Sequence, residues 1–325
     1  MNLRQRFDKL DDNIKLSDAV REQAQKVHNH LGDLVVDTGV AKRTRLQGSF
    51  ARHTMLGPKL RDIDKVVEFD DKWWDDLNGS GGPQKALSLI QDVLAPHLPG
   101  ARFEAKKHAL AITLPGNGFN FDAVPAFNPE GGSGWIRIAD TEDDRWEPSN
   151  TYILIDTITV RNQQCDGRFV RQVRMAKQAV RKAGLSDVLP GLHVETFTYV
   201  AVTTATDHAD AVAATLAMGT RLLGGPYADP TGTDQISDRL SAAAVAKARS
   251  GMRHLAARAA EAQRLAAEGK EIAAAHIWAE IFGDPFPHPR VDEKTRLQSL
   301  NTGAGVAATG ATAARHTPQT RAWRP

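Results

Sequence analysis

Leu46-Gln47-Gly48-Ser49-Phe50-Ala51-Arg52-His53-Thr54, followed after a short basic stretch by Arg61-Asp62-Ile63-Asp64-Lys65-Val66-Val67-Glu68-Phe69, decides how the chain is read. The second run is apolar and β-branched, which favours a strand. Alternate side chains of a strand share a face, so Asp62 and Asp64 project together while Ile63 points the other way. Paired carboxylates suit a hard divalent cation such as Mg²⁺, which takes oxygen ligands and shares them with phosphates. The Gly48-Ser49 turn beside them can offer backbone N–H groups to a phosphate.

A third carboxylate on a neighbouring strand would complete a two-metal site for in-line displacement at phosphorus. Asp122 is the candidate. Residues 109–114 read as a strand, Pro115-Gly116-Asn117-Gly118 as a turn, and Phe119-Asn120-Phe121-Asp122-Ala123-Val124-Pro125-Ala126 as the returning strand of a hairpin. Taken alone, Asp122 reads better as a strand-terminal or helix-capping aspartate; the Gly-Ser turn and Asp-x-Asp that precede it in order favour the metal reading.

The order Gly48-Ser49, Asp62-x-Asp64, Asp122-x-Val124-Pro125 resembles nucleotidyltransferases of the DNA polymerase β superfamily. Within it, the chain is most similar to the bacterial cyclic-oligonucleotide synthases (SMODS-type CD-NTases), relatives of cyclic GMP–AMP synthase and oligoadenylate synthetase. Phe169-Val170-Arg171-Gln172-Val173-Arg174-Met175-Ala176-Lys177 resembles that group's basic second-lobe helix. Leu189-Pro190-Gly191-Leu192-His193-Val194-Glu195, Asp229-Pro230-Thr231-Gly232 and the closing run Ile277–Pro287 resemble later motifs, so the likeness covers roughly residues 1–289. Two positions depart from it. Relatives often have Gly where His53 stands, and a Ser-Tyr pair, whose Tyr can stack on a base, where Gly191-Leu192 stands. His193 and Tyr199 are the candidate substitutes.

The resemblance implies an α+β, two-lobed polymerase-β-like fold: a mixed-sheet catalytic lobe over residues 1–160 and a helical, oligoadenylate-synthetase-like lobe over 161–290. It implies two Mg²⁺ or Mn²⁺ ions held by Asp62, Asp64 and Asp122, and a nucleotide site with Gln47, Gly48, Ser49, Arg174 and Lys177. The implied substrates are nucleoside triphosphates, ATP with GTP, CTP or UTP, joined into a cyclic product that signals in antiviral (CBASS-type) defence. A regulatory or conjugating protein partner is a further implication. Two other readings stay open: a linear transferase acting on RNA, protein or a small molecule, and a catalytically silent nucleotide or RNA sensor.

Composition narrows the class. A 325-residue chain with 41% hydrophobic and 25% charged residues can bury two lobes around a cleft. A formal net charge of +2 requires no nucleic-acid partner. The single cysteine, Cys165, excludes an intrachain disulfide and a cysteine-built zinc site. No stretch approaches the roughly 18 apolar residues of a membrane span, and the N-terminus lacks a signal-peptide core, so the expectation is a cytoplasmic protein.

Periodicity predicts helices over 17–38, packed across both lobes, and over 83–98, 167–184, 193–219, 233–268 and 270–282. Strands are predicted over 59–70, 103–114 and 119–127, and the Gly- and acid-rich stretch 128–150 as a mobile loop. Residues 291–325 hold few large apolar side chains and are expected to form a flexible tail, dispensable for fold and catalysis.

Overall fold

The computed structural model describes residues 1–289 except 59, 61, 117–119, 130, 132 and 133, so the expectation for residues 291–325 lies outside the described residues. Its centre is a mixed sheet. β1 (Ala41–Leu46), β2 (Asp62–Phe69), β5 (Asn120–Phe127), β4 (Leu110–Thr113) and β3 (Arg102–Ala105) lie side by side in that order. β2 and β5 run parallel, whereas their other pairings are antiparallel. β1 holds the basic run Lys42-Arg43-Thr44-Arg45. Long cations along an edge strand discourage further strand pairing.

Residues 128–150 are not simply a loop. β6 (Ile136–Asp140) pairs with the end of β5 and with β7 (Arg145–Ser149). The Asp140 carboxylate organises the turn between them, accepting from the Glu142 and Asp143 N–H groups at 3.0 Å each. Trp146 of β7 points into the core and donates to the Leu77 carbonyl at 2.8 Å. The acidic turn obscures this hairpin in the sequence, because only two or three apolar residues mark each strand.

Two principal apolar cores flank this frame. The first fills one face of the sheet with α2 (Asp18–Asp37), the single turns α3 (Gly48–Ala51) and α4 (Trp74–Leu77), and α5 (Gly82–Leu94). The buried apolar residues of α2, Ala24, Leu31 and Val35, all belong to this core. The helix therefore packs mainly on the sheet, while Arg21 near its start feels the charge of Arg174 on the helical side. The second core is built by α7 (Phe169–Lys182), α8 (Gly191–Ala201), α9 (His208–Leu222), α10 (Ala242–Ala267) and α11 (Glu271–Phe282).

An N-terminal helix absent from the sequence reading, α1 (Leu3–Ile14), belongs to this helical core through Phe7, Leu10 and Ile14. An Asn2–Gln5 capping box starts it. The first helix of the chain thus packs in the helical core and not on the sheet.

Other boundaries shift for local reasons. α6 (Thr151–Gln164) begins well before residue 160, in a run of Ile, Thr and Val that locally favours strand. The expected helix 193–219 is two helices, because Asp207 caps a new start by accepting from Ala209 N. α10 starts only at Ala242, where Ser241 caps it.

Phe7 meets Trp278 edge-on at 5.1 Å between centroids, and Phe282 and Phe286 at 5.7 and 5.5 Å. All four rings are essentially unexposed. Phe7→Ala should therefore cost roughly 3–5 kcal/mol in urea unfolding, the range for emptying a packed aromatic site. A loss under about 1 kcal/mol would show that α1 is not part of the helical core.

Candidate active site

The parallel register of β2 and β5 sets Asp64 directly beside Asp122, and Asp62 beside Asn120. Paired positions of adjacent strands point to the same face, about 4.8 Å apart across the ladder. On the opposite face the neighbouring pair, Ile63 and Phe121, is buried in the sheet core. The core thus anchors the strands, and the carboxylates emerge on the other side. Asp62 is exposed and accepts from Asn120 Nδ2 at 3.4 Å.

The Gly48-Ser49 turn is drawn onto this pair by a backbone bond from Gln47 N to the Asp64 carbonyl at 2.9 Å. Gly48 has φ +68°, and a Cβ there would stand 1.8 Å from Asp64 Oδ2. Only glycine allows that approach. The turn closes with Thr54 N and Met55 N donating to the Ser49 carbonyl at 2.9 and 3.1 Å. His53, where relatives often have Gly, adopts φ +58°, so the backbone keeps the left-handed turn despite the side chain.

Charge is crowded here. Burial, then the Asp122 and Asp62 charges, push the Asp64 carboxyl up to about 6, against the pull of Arg52 and Lys106. Lys106, which the sequence reading missed, donates to both Asp122 oxygens at 2.9 Å. It follows β3, the hairpin partner of β4, and the hairpin carries it to the acidic edge. An all-carboxylate donor set with excess negative charge fits a hard divalent cation. Asp62, Asp64 and Asp122 supply such donors on one face of the sheet.

His108, Asp140 and Glu147 form a tighter cluster, with ligand atoms within 4.8 Å of one another, a spacing that the three aspartates do not reach. Lys107 already sits 3.3 Å from Asp140 there.

Two cavities meet at Asp64. The smaller, about 330 Å³, is lined by Ser49, Asp62, Asp64, Asp122, Lys177 and Arg181 among others. The larger, about 1050 Å³, includes Gln47, Gly48, Arg52, Asp64, Trp135, Leu192 and Arg239. Of the residues expected for the nucleotide, Gln47, Gly48, Ser49 and Lys177 therefore line this space. Arg174 does not. It is buried, gripping Asp11 Oδ1 with two nitrogens at 3.1 and 2.6 Å and the His53 carbonyl at 2.7 Å.

Neither expected stacking substitute lines either cavity. His193 is buried with Nδ1 2.7 Å from the Tyr227 hydroxyl, and Tyr199 packs between Phe169 and Arg161. Aromatic surface in the large cavity comes from Trp135 and Trp146.

The raised Asp64 pKa has a stability consequence. Its ionisation opposes folding, so its contribution is intact below the unfolded value near 4 and lost as pH rises through about 6. Asp64→Asn should thus stabilise the metal-free protein on the order of 1–3 kcal/mol at about pH 8 and by little at about pH 4. Urea titrations at both pH values measure this, and an unchanged or lower stability at the higher pH would contradict the assignment.

Residues 1–162, about half of the chain, match the Second Messenger Oligonucleotide or Dinucleotide Synthetase domain. No curated protein matches. Among solved structures, the Escherichia coli MS115-1 CdnC:HORMA-deltaN complex aligns with TM-score 0.66 and 15% identity over 86% of this chain and 96% of that one. The Bradyrhizobium diazoefficiens CD-NTase CdnG in complex with GTP aligns with TM-score 0.66 and 14% identity, covering 93% and 99%. Vibrio cholerae DncV in its apo form gives 0.66 and 13%, covering 88% and 96%. These likenesses establish the two-part nucleotidyltransferase fold. With the matched domain and the acidic site on β2 and β5, the chain belongs to the second messenger oligonucleotide or dinucleotide synthetases, the bacterial CD-NTase family of nucleotidyltransferases.

Proposed function

We propose that this enzyme joins nucleoside triphosphates, ATP with GTP, CTP or UTP, into a cyclic di- or oligonucleotide. The observation that carries the reading is the pairing of Asp64 with Asp122 beside the Gly48-Ser49 turn. The two cavities sharing Asp64 suit two nucleotides with their reacting ends together. Residues 15–160 form the catalytic half, and residues 161–288 with α1 form the half that closes over the nucleotides.

In the proposed reaction the turn's backbone N–H groups and the Ser49 hydroxyl hold the donor triphosphate. A ribose hydroxyl of the acceptor attacks the α-phosphorus in line. The new P–O bond forms as the bond to the β-phosphate bridging oxygen breaks, and pyrophosphate leaves with that electron pair. Asp122, beside Asp64 on the neighbouring strand, takes the hydroxyl proton. Asp62, Asp64 and Asp122 would hold the divalent cations, two Mg²⁺ or Mn²⁺, which would supply polarisation of the α-phosphate and a lower pKa for the attacking hydroxyl. A second displacement within the linear product closes the ring.

The reading extends to a cytoplasmic enzyme whose product activates a separate effector in antiviral defence. A regulatory protein partner fits it too, since the similar E. coli protein was solved with a HORMA protein.

Incubating the protein with labelled triphosphates and Mg²⁺ or Mn²⁺ should yield a phosphatase-resistant product identifiable by mass. Asp62→Asn and Asp64→Asn should lower turnover by about a thousandfold or more, several kcal/mol of transition-state stabilisation. Asp122→Ala should keep affinity for a non-hydrolysable triphosphate while losing turnover. Near-normal turnover in any of the three, or only linear product from the wild type, would overturn the proposal.

A further inference from the structure

Three residues after Ser49 the chain turns inward, and Arg52 and Thr54 meet Glu195 of α8. The Glu195 carboxylate has no exposed surface. It accepts from Arg52 Nε at 2.8 Å and Nη2 at 3.2 Å, from Thr54 Oγ1 at 2.8 Å and from Lys177 Nζ at 2.6 Å. Three of these donors converge on Oε1, and Arg52 Nε alone reaches Oε2. Lys177 directs its remaining N–H groups to the Thr54 carbonyl at 3.2 Å and Thr54 Oγ1 at 3.3 Å. Its ammonium is thus fully engaged by protein, although Lys177 lines the small cavity with Ser49 and the three aspartates.

The cluster joins three separate elements. Arg52 and Thr54 belong to the turn after β1, Lys177 to α7 and Glu195 to α8. Arg52 lines the large cavity and Lys177 the small one. Gly191 makes room for the lysine, since a Cβ there would stand 3.1 Å from Lys177 Cε and 3.2 Å from Nζ. Thr54 is also tied to Ser49 through its backbone N–H, so any shift of Thr54 moves the Ser49 carbonyl. Two cations facing one carboxylate leave one positive charge in excess beside the acidic site. A buried ion cluster of this kind is a weak source of stability but a strong constraint on geometry.

We propose that Glu195 is the positioning residue of the phosphate site. It draws Arg52, Thr54 and Lys177 into one buried cluster, and so sets where the Gly48-Ser49 turn and the Lys177 charge meet a triphosphate. This rests on the triphosphate reading of the small cavity. The electrostatic signature separates positioning from a merely structural role. Removing the Glu195 charge while keeping its shape strengthens attraction for a polyanion, yet loosens the alignment that catalysis needs.

The test is Glu195→Gln, Glu195→Asp and Lys177→Met in the full chain, with inorganic tripolyphosphate as the binding probe and circular dichroism as the fold control. Glu195→Gln should bind tripolyphosphate several-fold tighter, with kcat down about tenfold or more and KM unchanged or lower. Lys177→Met should bind tripolyphosphate several-fold more weakly. Glu195→Asp keeps the charge on a shorter stem and should show wild-type tripolyphosphate affinity with an intermediate kcat. A folded Glu195→Gln with wild-type kcat, or with no gain in tripolyphosphate affinity, overturns the proposal. Should that variant not fold, wild-type kcat in Glu195→Asp overturns it and a lowered kcat with unchanged tripolyphosphate affinity supports it. A wild type that makes no nucleotide product would sink the functional reading instead, while the tripolyphosphate measurements would still report on the cluster.

Discussion

The parallel pairing of β2 with β5 is the constraint on which the site depends. Parallel neighbours need a long crossover connection. Here the crossover runs through α5 and the β3–β4 hairpin, and it returns the chain so that Asp122 lands beside Asp64. A slip of one residue would turn Asp122 into the core and bring Phe121 to the open face. Burial of Ile63 and Phe121 at under about 2% exposure makes such a slip costly, so the hydrophobic side of the sheet enforces the register of the acidic side.

Holding these carboxylates together opposes folding, and the surrounding structure offsets it unevenly. Lys106 neutralises Asp122 from the solvent side, whereas Arg52 reaches Asp64 only at a distance while bonded to Glu195. Asp64 keeps a raised pKa as a result. Gly48, pressed against it, excludes any side chain that could shield it. The geometry favours an incoming cation over internal compensation, a pattern of local destabilisation common at functional sites. Farther back, Asn150 joins the two halves by donating to Asp229 at 2.9 Å and Thr231 at 2.6 Å. Such polar contacts, with the small apolar cluster of Val66, Ala126, Ile136 and Tyr152, tie sheet and helices together around the cleft.

Much of this was legible in the residues, and what was missed has physical reasons. Gly48-Ser49, Asp62-x-Asp64 and the Asp122 hairpin each carry a local signal: a turn glycine, period-two alternation and a Gly/Asn turn. α1 left a readable trace in Leu3, Phe7, Leu10 and Ile14, but its partners Trp278, Phe282 and Phe286 lie at the far end of the chain. α6 was hidden because its Ile, Thr and Val residues favour strand, and tertiary packing on Phe169 and Val173 overrides that preference. The β6–β7 hairpin was hidden by its acidic turn. Arg174 and Lys177 look alike as helix cations one turn apart. Only the fold shows that Arg174 is bound to Asp11 while Lys177 reaches the cavity. Lys106 carries no motif, and Glu195, which ends the Leu189–Glu195 run, shows its partners Arg52, Thr54 and Lys177 only through long-range pairing.

In the proposed site the β2–β5 register brings Asp64 and Asp122 together as one oxygen-lined cation site, with Asp62 at its edge. Anomalous diffraction from crystals grown with Mn²⁺ and a non-hydrolysable nucleoside triphosphate tests it most directly. The account predicts manganese between the Asp64 and Asp122 carboxylates, Asp62 drawn inward and Lys106 moved off Asp122. Manganese found only at His108, Asp140 and Glu147, with none beside β2 and β5, would contradict it.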